Sequence, residues 1–335
     1  MAYTSIDDPS AYFKVQLYTG DGYSSKAITF DDTDTNMQPD FVWIKRRDDA
    51  DSHMLYDSVR FDGSNAYWLQ ANVNSLEGSD RPLTAFGSDG FTIGSNNSAL
   101  NGNTNTYVSW NWKKTADAGF DIVTATGNAT AKTISHSLSA VPHWIISKER
   151  TGSVNDWVIY HHKNTGAPET DKIILNETNA TSDDSCWNDT APTSSVFSVG
   201  TGSVVNRNSS TYVYYLWSEK QGFSKFGSYT GNGNADGTFV YTGFRPAFVL
   251  FKRTNSTGNW QLLDNKRTGF NVENHTLYPN SNLADQDETD ADIFSTGFKL
   301  RNTGTDGNGS GSTYIYMAFA ESPLVNSNKV PTNAR

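Results

Sequence analysis

The sequence predicts an all-β protein of three tandem antiparallel β-sandwich repeats, jelly-roll-like and each about 100 residues long. Three observations predict this fold. Turns rich in Gly, Asn, Ser, Thr and Asp separate the apolar segments, no segment keeps the apolar spacing of an amphipathic helix, and one ordered set of motifs recurs three times. The chain is 36% hydrophobic but 13% aromatic, which suits thin sandwiches because a few large rings fill a small core.

The clearest repeated motif is a proline-led apolar segment that ends in lysine. In the first copy it begins at Pro39 and ends at Lys45, and it recurs over residues 142–148 and 246–252. The copies are offset by 103 and then 104 residues. A nearly continuous apolar run of this length is typical of a strand covered on both faces.

Four further motifs keep the same order in every copy. A Thr-Gly turn precedes the proline, and a second strand, a strand around a phenylalanine and a strand rich in Tyr and Trp follow it. In the last strand, rings alternate with small or polar residues, which predicts one packed face and one open face. In copy order, the motifs are residues 19–20, 126–127 and 230–231; 53–57, 157–161 and 260–264; 90–94, 196–200 and 297–300; and 107–112, 212–217 and 314–319.

The repeats set the predicted domain boundaries. The joins near Ala116 and Lys220 are too short to be flexible linkers, so we expect the units to pack as a rigid rod or triangle. The predicted divisions are an N-terminal segment at 1–15, sandwich repeats at 16–115, 118–220 and 222–322, and a C-terminal tail at 323–335.

Charge and cysteine content exclude several classes of partner. The formal net charge of −10 repels polyanions, so we expect neither nucleic acid nor anionic lipid as a partner. The single cysteine, Cys186, allows no intrachain disulfide framework and no cysteine-based zinc site. No apolar run is long enough to span a membrane and the N-terminus lacks the features of a signal peptide, so we expect a protein that is made in a cytoplasm, is not exported by a signal peptide and does not span a membrane.

No motif predicts catalytic, cofactor-binding or metal-ligating residues, so we expect a non-enzymatic protein without cofactors. The histidines fit no metalloprotease or nucleophile signature. The pair His161-His162 is interpreted as a solvated surface pair, with metal binding as the alternative. The acidic stretches 31–34 and 285–292 are interpreted as solvated loops, with calcium binding as the alternative.

The lysine that ends the proline-led strand is shared by all copies, as Lys45, Lys148 and Lys252. A shared position usually builds the repeat, so we expect these lysines to cap a strand end or to pair with an acid such as Asp57 or Asp264; contact with a ligand is the alternative. Three aromatic residues near loops are candidates either for stacking on sugars or for core packing: Trp68, Trp187 and Tyr278.

The ordered motifs resemble a repeat domain of unassigned function found in tail-fibre and other virion-surface proteins of tailed phages, notably marine and cyanobacterial ones. The resemblance covers nearly the whole chain, and is carried by MAYTSIDDPSAYFKVQLYTGDG, PDFVWIKRRDDADSHMLYDSVR, ISHSLSAVPHWIISKERTGSVNDWVIYHH, NDTAPTSSVFSVG and YIYMAFAESP. It implies a β-sandwich fold and a place in a bacteriophage virion assembled in the host cytoplasm. It implies no activity and supplies no catalytic residues. The chain departs from typical fibre proteins because it has no coiled-coil shaft.

These observations favour a tail-associated host-recognition or adhesion protein, of the fibre or tail-tip kind, that forms a homo-oligomer and contacts other virion proteins. The loops 63–81 and 165–193 would meet a host glycan or protein, since rigid sheets commonly present function on loops. The alternative is a capsid decoration protein (knob or cement) or a tail adaptor, in which those loops grip neighbouring subunits. An envelope polysaccharide depolymerase is the least favoured alternative.

Overall fold

The computed structural model describes residue 4 and residues 6–31, 35–269 and 271–322. The described chain is all-β, and its strands pair antiparallel. Each sheet takes its strands from one of three successive stretches of chain, which we call segment 1 (13–112), segment 2 (120–217) and segment 3 (224–322). The predicted tail at 323–335 lies outside the described residues.

Segment 1 contains eight strands and a single helical turn before the last strand. The first strand begins inside the stretch 1–15 that the sequence analysis set apart. A 3-10 turn precedes it at Pro9–Ala11, and another lies at Ser58–Arg60. The strands are β1 (Phe13–Thr19), β2 (Lys26–Thr29), β3 (Phe41–Arg46), β4 (Met54–Asp57), β5 (Ala66–Gln70), β6 (Gly78–Gly87), β7 (Gly90–Ile93) and β8 (Thr106–Trp112), with α1 (Ser98–Asn101).

Segment 2 repeats this order with a shortened sixth strand. Two 3-10 turns, at Pro168–Thr170 and Ser185–Trp187, flank the fifth and sixth strands. The strands are β9 (Phe120–Thr126), β10 (Lys132–Ser135), β11 (Trp144–Glu149), β12 (Val158–His161), β13 (Asp171–Ile174), β14 (Ser182–Asp183), β15 (Val196–Val199) and β16 (Thr211–Trp217), with α2 (Ser203–Asn206).

Segment 3 again has eight strands. Its sixth strand is long and contains most of the acidic stretch 285–292, which was predicted to be a loop. The strands are β17 (Ser224–Thr230), β18 (Phe239–Tyr241), β19 (Arg245–Arg253), β20 (Trp260–Asp264), β21 (Glu273–Thr276), β22 (Gln286–Phe294), β23 (Gly297–Leu300) and β24 (Thr313–Ser322).

Each segment folds into two facing layers. In segment 3, the sheet β17-β24-β19-β20 faces the sheet β18-β23-β22-β21. Segment 1 has the same order, β1-β8-β3-β4 and β5-β6-β7-β2, joined through the β4–β5 pair into one bent sheet. In a jelly roll the third and fourth strands lie in opposite sheets, whereas here β3 and β4 form a hairpin within one sheet. Their short connection favours pairing as antiparallel neighbours.

The space between the two layers of each segment is filled by apolar side chains. In segment 1, Ile28 and Ile93 of one layer meet Ile44, Tyr56 and Tyr107 of the other. Segment 2 has an equivalent core of its own. The β1-β8-β3-β4 layer and its counterparts also bury their second face, because they form one central core shared by all three segments.

The central core explains one confirmed and one wrong prediction about the strands. The proline-led strands β3, β11 and β19 are buried on both faces, as their apolar runs predicted. The aromatic strand β8 was predicted to have one open face, but Tyr107 points into the sandwich while Trp110 and Trp112 point into the central core. Alternation in the sequence shows that the two faces of the strand differ in environment. Here one face packs in the sandwich core and the other in the central core.

The three segments form a closed ring, which is the triangular arrangement rather than the rod. Segment 1 contacts segment 2, segment 2 contacts segment 3, and segment 3 returns to segment 1. An equivalent backbone hydrogen bond occurs at each interface. A loop amide of one segment donates to the carbonyl oxygen of the residue that follows the proline-led strand of the next segment. These bonds join Glu77 N to Arg150 O (3.1 Å), Thr181 N to Thr254 O (2.9 Å) and Asp285 N to Arg47 O (2.8 Å).

The joins between segments are tight turns and not flexible linkers. Phe120 N donates to Thr115 O at 3.1 Å at the first join, and Ser224 N donates to Lys220 O at 2.9 Å at the second. Gly119 and Gly222 occupy these turns with φ of +71° and +77°, where a side chain would be strained. The chain therefore enters each new segment in a fixed direction.

Candidate functional site

The pair His161-His162, expected to be solvated with metal binding as the alternative, lies at the interface between segments 2 and 3. His161 is buried, its Nδ1 accepts from Lys163 N (3.0 Å), and its Nε2 donates to Tyr316 O (3.2 Å). His162 Nε2 donates to Phe226 O at 2.8 Å. Among the described residues, no group of three or more His, Cys, Asp or Glu side chains could hold a metal ion. The pair therefore joins two segments.

These histidines should make the ring sensitive to acid. Burial lowers the pKa of His161 well below its usual value and lowers that of His162 to about 4. Since the unfolded chain binds these protons near pH 6.5, stability should be lost as the pH falls from about 6.5 to about 4. Burial raises the pKa values of Glu273 and Asp290 to about 7 and about 6, so these groups oppose the effect of the histidines on stability. The contribution of a histidine is therefore measured by comparing the pH dependence of the protein with that of a histidine variant.

We expect chemical denaturation to show less acid-induced loss of stability in His162→Gln than in the unsubstituted protein, because the glutamine amide can donate but does not titrate. Unfolding free energies measured in steps from pH 7.5 to pH 4 give the difference directly. Equal pH dependence in both proteins would contradict a role for His162.

The three shared lysines, Lys45, Lys148 and Lys252, are buried. Burial lowers the pKa of each to about 8. None of the three pairs with Asp57 or Asp264 in the described structure, which corrects that expectation; they donate to backbone carbonyls instead. Two of these bonds cross to the preceding segment, from Lys148 Nζ to Asn74 O (2.9 Å) and from Lys252 Nζ to Thr178 O (3.1 Å).

The acidic stretch 285–292 is not a solvated loop. Asp285 accepts from Arg47 at 2.9 Å and from Arg267 at 2.8 Å, and these cations lower its pKa against the effect of burial. Asp290 is buried beside Thr276. The stretch closes the interface between segments 3 and 1, and most of the other acidic stretch, 31–34, lies outside the described residues.

The loops predicted to meet a host surface contain strands and also contribute to the interfaces between segments. Residues 63–81 include β5 and the start of β6, and residues 165–193 include β13 and β14. Both stretches accept hydrogen bonds from buried tryptophans of the next segment. These bonds run from Trp157 Nε1 to Gln70 O (2.9 Å) and from Trp260 Nε1 to Ile174 O (2.8 Å).

Of the three aromatic residues considered for sugar stacking, two are core residues. Trp187 and Tyr278 are buried. Trp68 is half-buried, donates from Nε1 to Asp80 at 2.7 Å, and is covered by the Arg81 guanidinium at 5.5 Å. Trp187 and Tyr278 therefore present no open ring face to solvent, and Arg81 covers one face of Trp68.

Segment 3 carries an exposed row of aromatic rings that the sequence analysis missed. The side chains of Phe239, Tyr241 and Phe294 are 46%, 60% and 40% exposed. Phe239 and Tyr241 lie on the outer face of edge strand β18, while Val240 between them faces the core. The rings of Phe239 and Phe294 meet edge to face at 6.0 Å. We call these three side chains the aromatic row.

The other segments hold small residues at the same positions of the outer face. In each segment, the edge strand pairs with the strand around the shared phenylalanine, which fixes the correspondence. The structural equivalents of Phe239 and Tyr241 are Ala27 and Thr29 in segment 1, and Thr133 and Ser135 in segment 2. Comparison of the repeats could have revealed the substitution, but the exposure of the rings depends on the fold.

A cavity of about 310 Å³ opens beside the aromatic row, at the join between segments 2 and 3. Tyr241 forms part of its wall, and Glu219, Gln221, Ser224 and Lys225 supply polar groups. Glu219 and Lys225 form an ion pair at 2.7 Å, so the charges on the wall balance. The Gln221 side chain makes no hydrogen bond to the described residues and is exposed. The site offers an open ring face next to amide and hydroxyl groups.

A model of the protein family described as Domain of unknown function (DUF7483) matches residues 8–323, which is nearly the whole chain and includes all three segments. No curated protein matches. Among the described residues, no helix is long and apolar enough to cross a membrane.

Proposed function

We propose that this chain, which belongs to the DUF7483 family, is a non-enzymatic bacteriophage virion component that recognises the host as part of the tail, at a fibre or tail tip. The observation that carries the proposal is the row of exposed aromatic side chains on segment 3, at positions where segments 1 and 2 have small residues. Residues common to the segments build the ring, whereas the aromatic row of segment 3 adds nothing to its core. Exposed aromatic groups on a rigid surface are typical of binding sites.

We further infer that the three segments are diverged copies of one sandwich. The equivalent strand orders and the equivalent hydrogen bonds at the three interfaces support this interpretation. A ring closed within one chain has three related faces, which suits attachment to a symmetric part of a particle. We expect the partners to be other virion proteins, with a homo-oligomer assembling through surfaces outside the ring interfaces.

Binding of labelled protein to intact cells of candidate cyanobacterial strains tests the proposal. We expect saturable binding to some strains and not to others, with no release of polysaccharide into the medium. Absence of binding to every strain that the parent phage infects would count against host recognition.

Capsid decoration or a tail adaptor role is the second candidate function, and the threefold arrangement of the segments favours it. A protein of this shape could sit on a threefold position of a capsid, where each segment would meet an equivalent neighbour. Imaging of particles carrying a labelled chain separates the two roles, since decoration places the label over the capsid and recognition places it at the tail end.

A polysaccharide depolymerase is less well supported. Hydrolysis of a glycosidic bond normally needs two carboxyl groups about 5–10 Å apart across a cleft. The cavity beside Tyr241 has one carboxylate among its lining residues, that of Glu219, and Lys225 already neutralises it. Assay of polysaccharide release in the cell-binding experiment tests this role in the same samples.

A further inference from the structure

The geometry of segment 3 points to a specific ligand class: we propose that the aromatic row and the adjoining cavity bind a neutral hexose unit of a surface glycan. The inference rests on the proposed host-recognition function and assigns that function a site. Tyr241 belongs to both the row and the cavity wall, so one ligand can contact both parts.

The shape of the site suits a sugar. A cavity of about 310 Å³ lies at the lower end of the range for small-molecule pockets, about 300–1,000 Å³. A pyranose has apolar C–H faces and a rim of hydroxyl groups. The C–H face can pack on the Tyr241 ring, which is 60% exposed, while the hydroxyls face Gln221, Ser224 and the Glu219–Lys225 pair.

The row extends the site beyond one sugar unit. Phe239 lies two residues before Tyr241 on the same face of β18, about 7 Å away along the strand. Gly297, which pairs with Tyr241, lies beside the Phe239 ring, although an added Cβ would first meet Val240 O and only then Phe239 Cζ at 3.1 Å. Phe294 continues the row beside Phe239. A linear glycan can thus place one unit in the cavity and lay its neighbours on the rings.

The charges select a neutral sugar over an acidic one. Glu219 and Lys225 neutralise each other at 2.7 Å, which leaves no unpaired cation in the wall to bind a carboxylate or sulfate. The net charge of −10 on the whole chain adds a general repulsion of polyanions. An acidic glycan would have to break the ion pair before Lys225 could bind it.

The same surface would be a liability without a ligand. Exposed apolar residues on an edge strand promote pairing with other chains, and proteins usually protect such edges with charges or small residues. Segments 1 and 2 have Thr29 and Ser135 where segment 3 has Tyr241. A small residue is therefore compatible with the fold at this position, and the tyrosine is not needed to build the sandwich.

Ligand-observed NMR titration of the full chain with defined hexasaccharides tests the proposal. The neutral probes are maltohexaose, cellohexaose, mannohexaose and chitohexaose, and the acidic probe is hexagalacturonate. We expect at least one neutral probe to bind, the acidic probe to bind at least about tenfold more weakly, and Tyr241→Ser to weaken neutral binding by about tenfold or more. Tyr23→Ser is the matched control, because Tyr23 is a 72% exposed tyrosine of segment 1.

Tyr241→Ser should melt at the same temperature as the unsubstituted protein, which separates lost binding from lost folding. Failure of every neutral probe to bind would overturn the proposal, and so would equal affinities of the unsubstituted protein and Tyr241→Ser. Binding of a neutral probe that Tyr23→Ser weakens as much as Tyr241→Ser would also overturn it, since the site would then lie elsewhere.

The cell-binding assay separates this inference from the proposed function. If cells bind the unsubstituted protein and Tyr241→Ser equally, the glycan site fails while host recognition stands. If a hexasaccharide binds through Tyr241 but no host cells are bound, the site stands and host recognition fails. If the hexasaccharide with the highest affinity competes with cells for the protein, both the glycan site and host recognition are supported.

Discussion

Replacing Trp112 with alanine should loosen all three segments together, at a cost of about 3–5 kcal/mol in the free energy of unfolding. Trp112 is buried at the centre of the ring, although it ends the last strand of segment 1. Its ring contacts aromatic rings of its own segment and of both others. The contacts outside segment 1 are with Trp217 (6.2 Å), Phe248 (5.5 Å) and Phe319 (5.6 Å).

Trp187→Ala is the matched control for Trp112→Ala. Trp187 is an equally buried tryptophan, but it lies in the core between the layers of segment 2, where its ring contacts Tyr160. We expect a similar loss of stability from denaturant titration and a different pattern of hydrogen exchange. Exchange should rise in all three segments for Trp112→Ala and mainly in segment 2 for Trp187→Ala. Faster exchange in segment 1 alone for Trp112→Ala would contradict a shared core.

The antiparallel β-structure could be predicted from the sequence because its signals are local. Pro39 and Lys45 bound an apolar run that recurs at offsets of 103 and 104 residues, and these offsets predict three units of about equal size. The pattern within β8 could not show what covers each face. The alternation that places Trp110 and Trp112 on one side looks the same whether that side meets water or another segment.

The interface residues that close the ring could not be predicted from the sequence, because they are charged residues in polar stretches that resemble a solvated surface. Glu77 stands in a polar stretch that predicts a loop, yet it forms two bonds to Arg150 across the first interface, at 2.8 and 3.0 Å. Asp285 stands in an acidic run, yet two arginines from distant parts of the chain neutralise it. Charge patterns in sequence show their own sign but not the partners that the fold brings to them.

Of the candidate site, the aromatic row could be predicted from the sequence and the cavity could not. Alignment of the segments by their shared phenylalanines shows that Phe239 and Tyr241 replace small residues, so the aromatic row could have been found in the sequence. The cavity could not, since Glu219 and Gln221 at the join meet Tyr241 only after the chain has turned into segment 3.

Replacing Asp57 with alanine should be a costly change at the interface between segments 1 and 2, at about 3–5 kcal/mol. Asp57 is completely buried, and its Oδ2 accepts from Arg60 Nε at 2.6 Å and from Tyr215 OH of segment 2 at 2.7 Å. Alanine would leave the buried Arg60 guanidinium with Glu77 as its remaining carboxylate partner and the Tyr215 hydroxyl without an acceptor. Chemical denaturation gives the loss. Lys299→Ala is the control, and should change stability little because its pair with Asp236 is open to solvent.

Segment 2 has no ion pair at the positions of Asp57 and Arg60, so the fold does not require one there. The stability lost in Asp57→Ala therefore comes from leaving the buried Arg60 without Asp57. His161 and Asn164 stand in segment 2 in place of Asp57 and Arg60, so that segment folds with two neutral side chains at these positions. The double variant Asp57→His/Arg60→Asn should therefore cost less than Asp57→Ala alone, because no buried charge is left unpaired. If Asp57→His/Arg60→Asn is less stable than Asp57→Ala, the neutral side chains have failed to replace the ion pair. The ion pair itself would then hold segments 1 and 2 together.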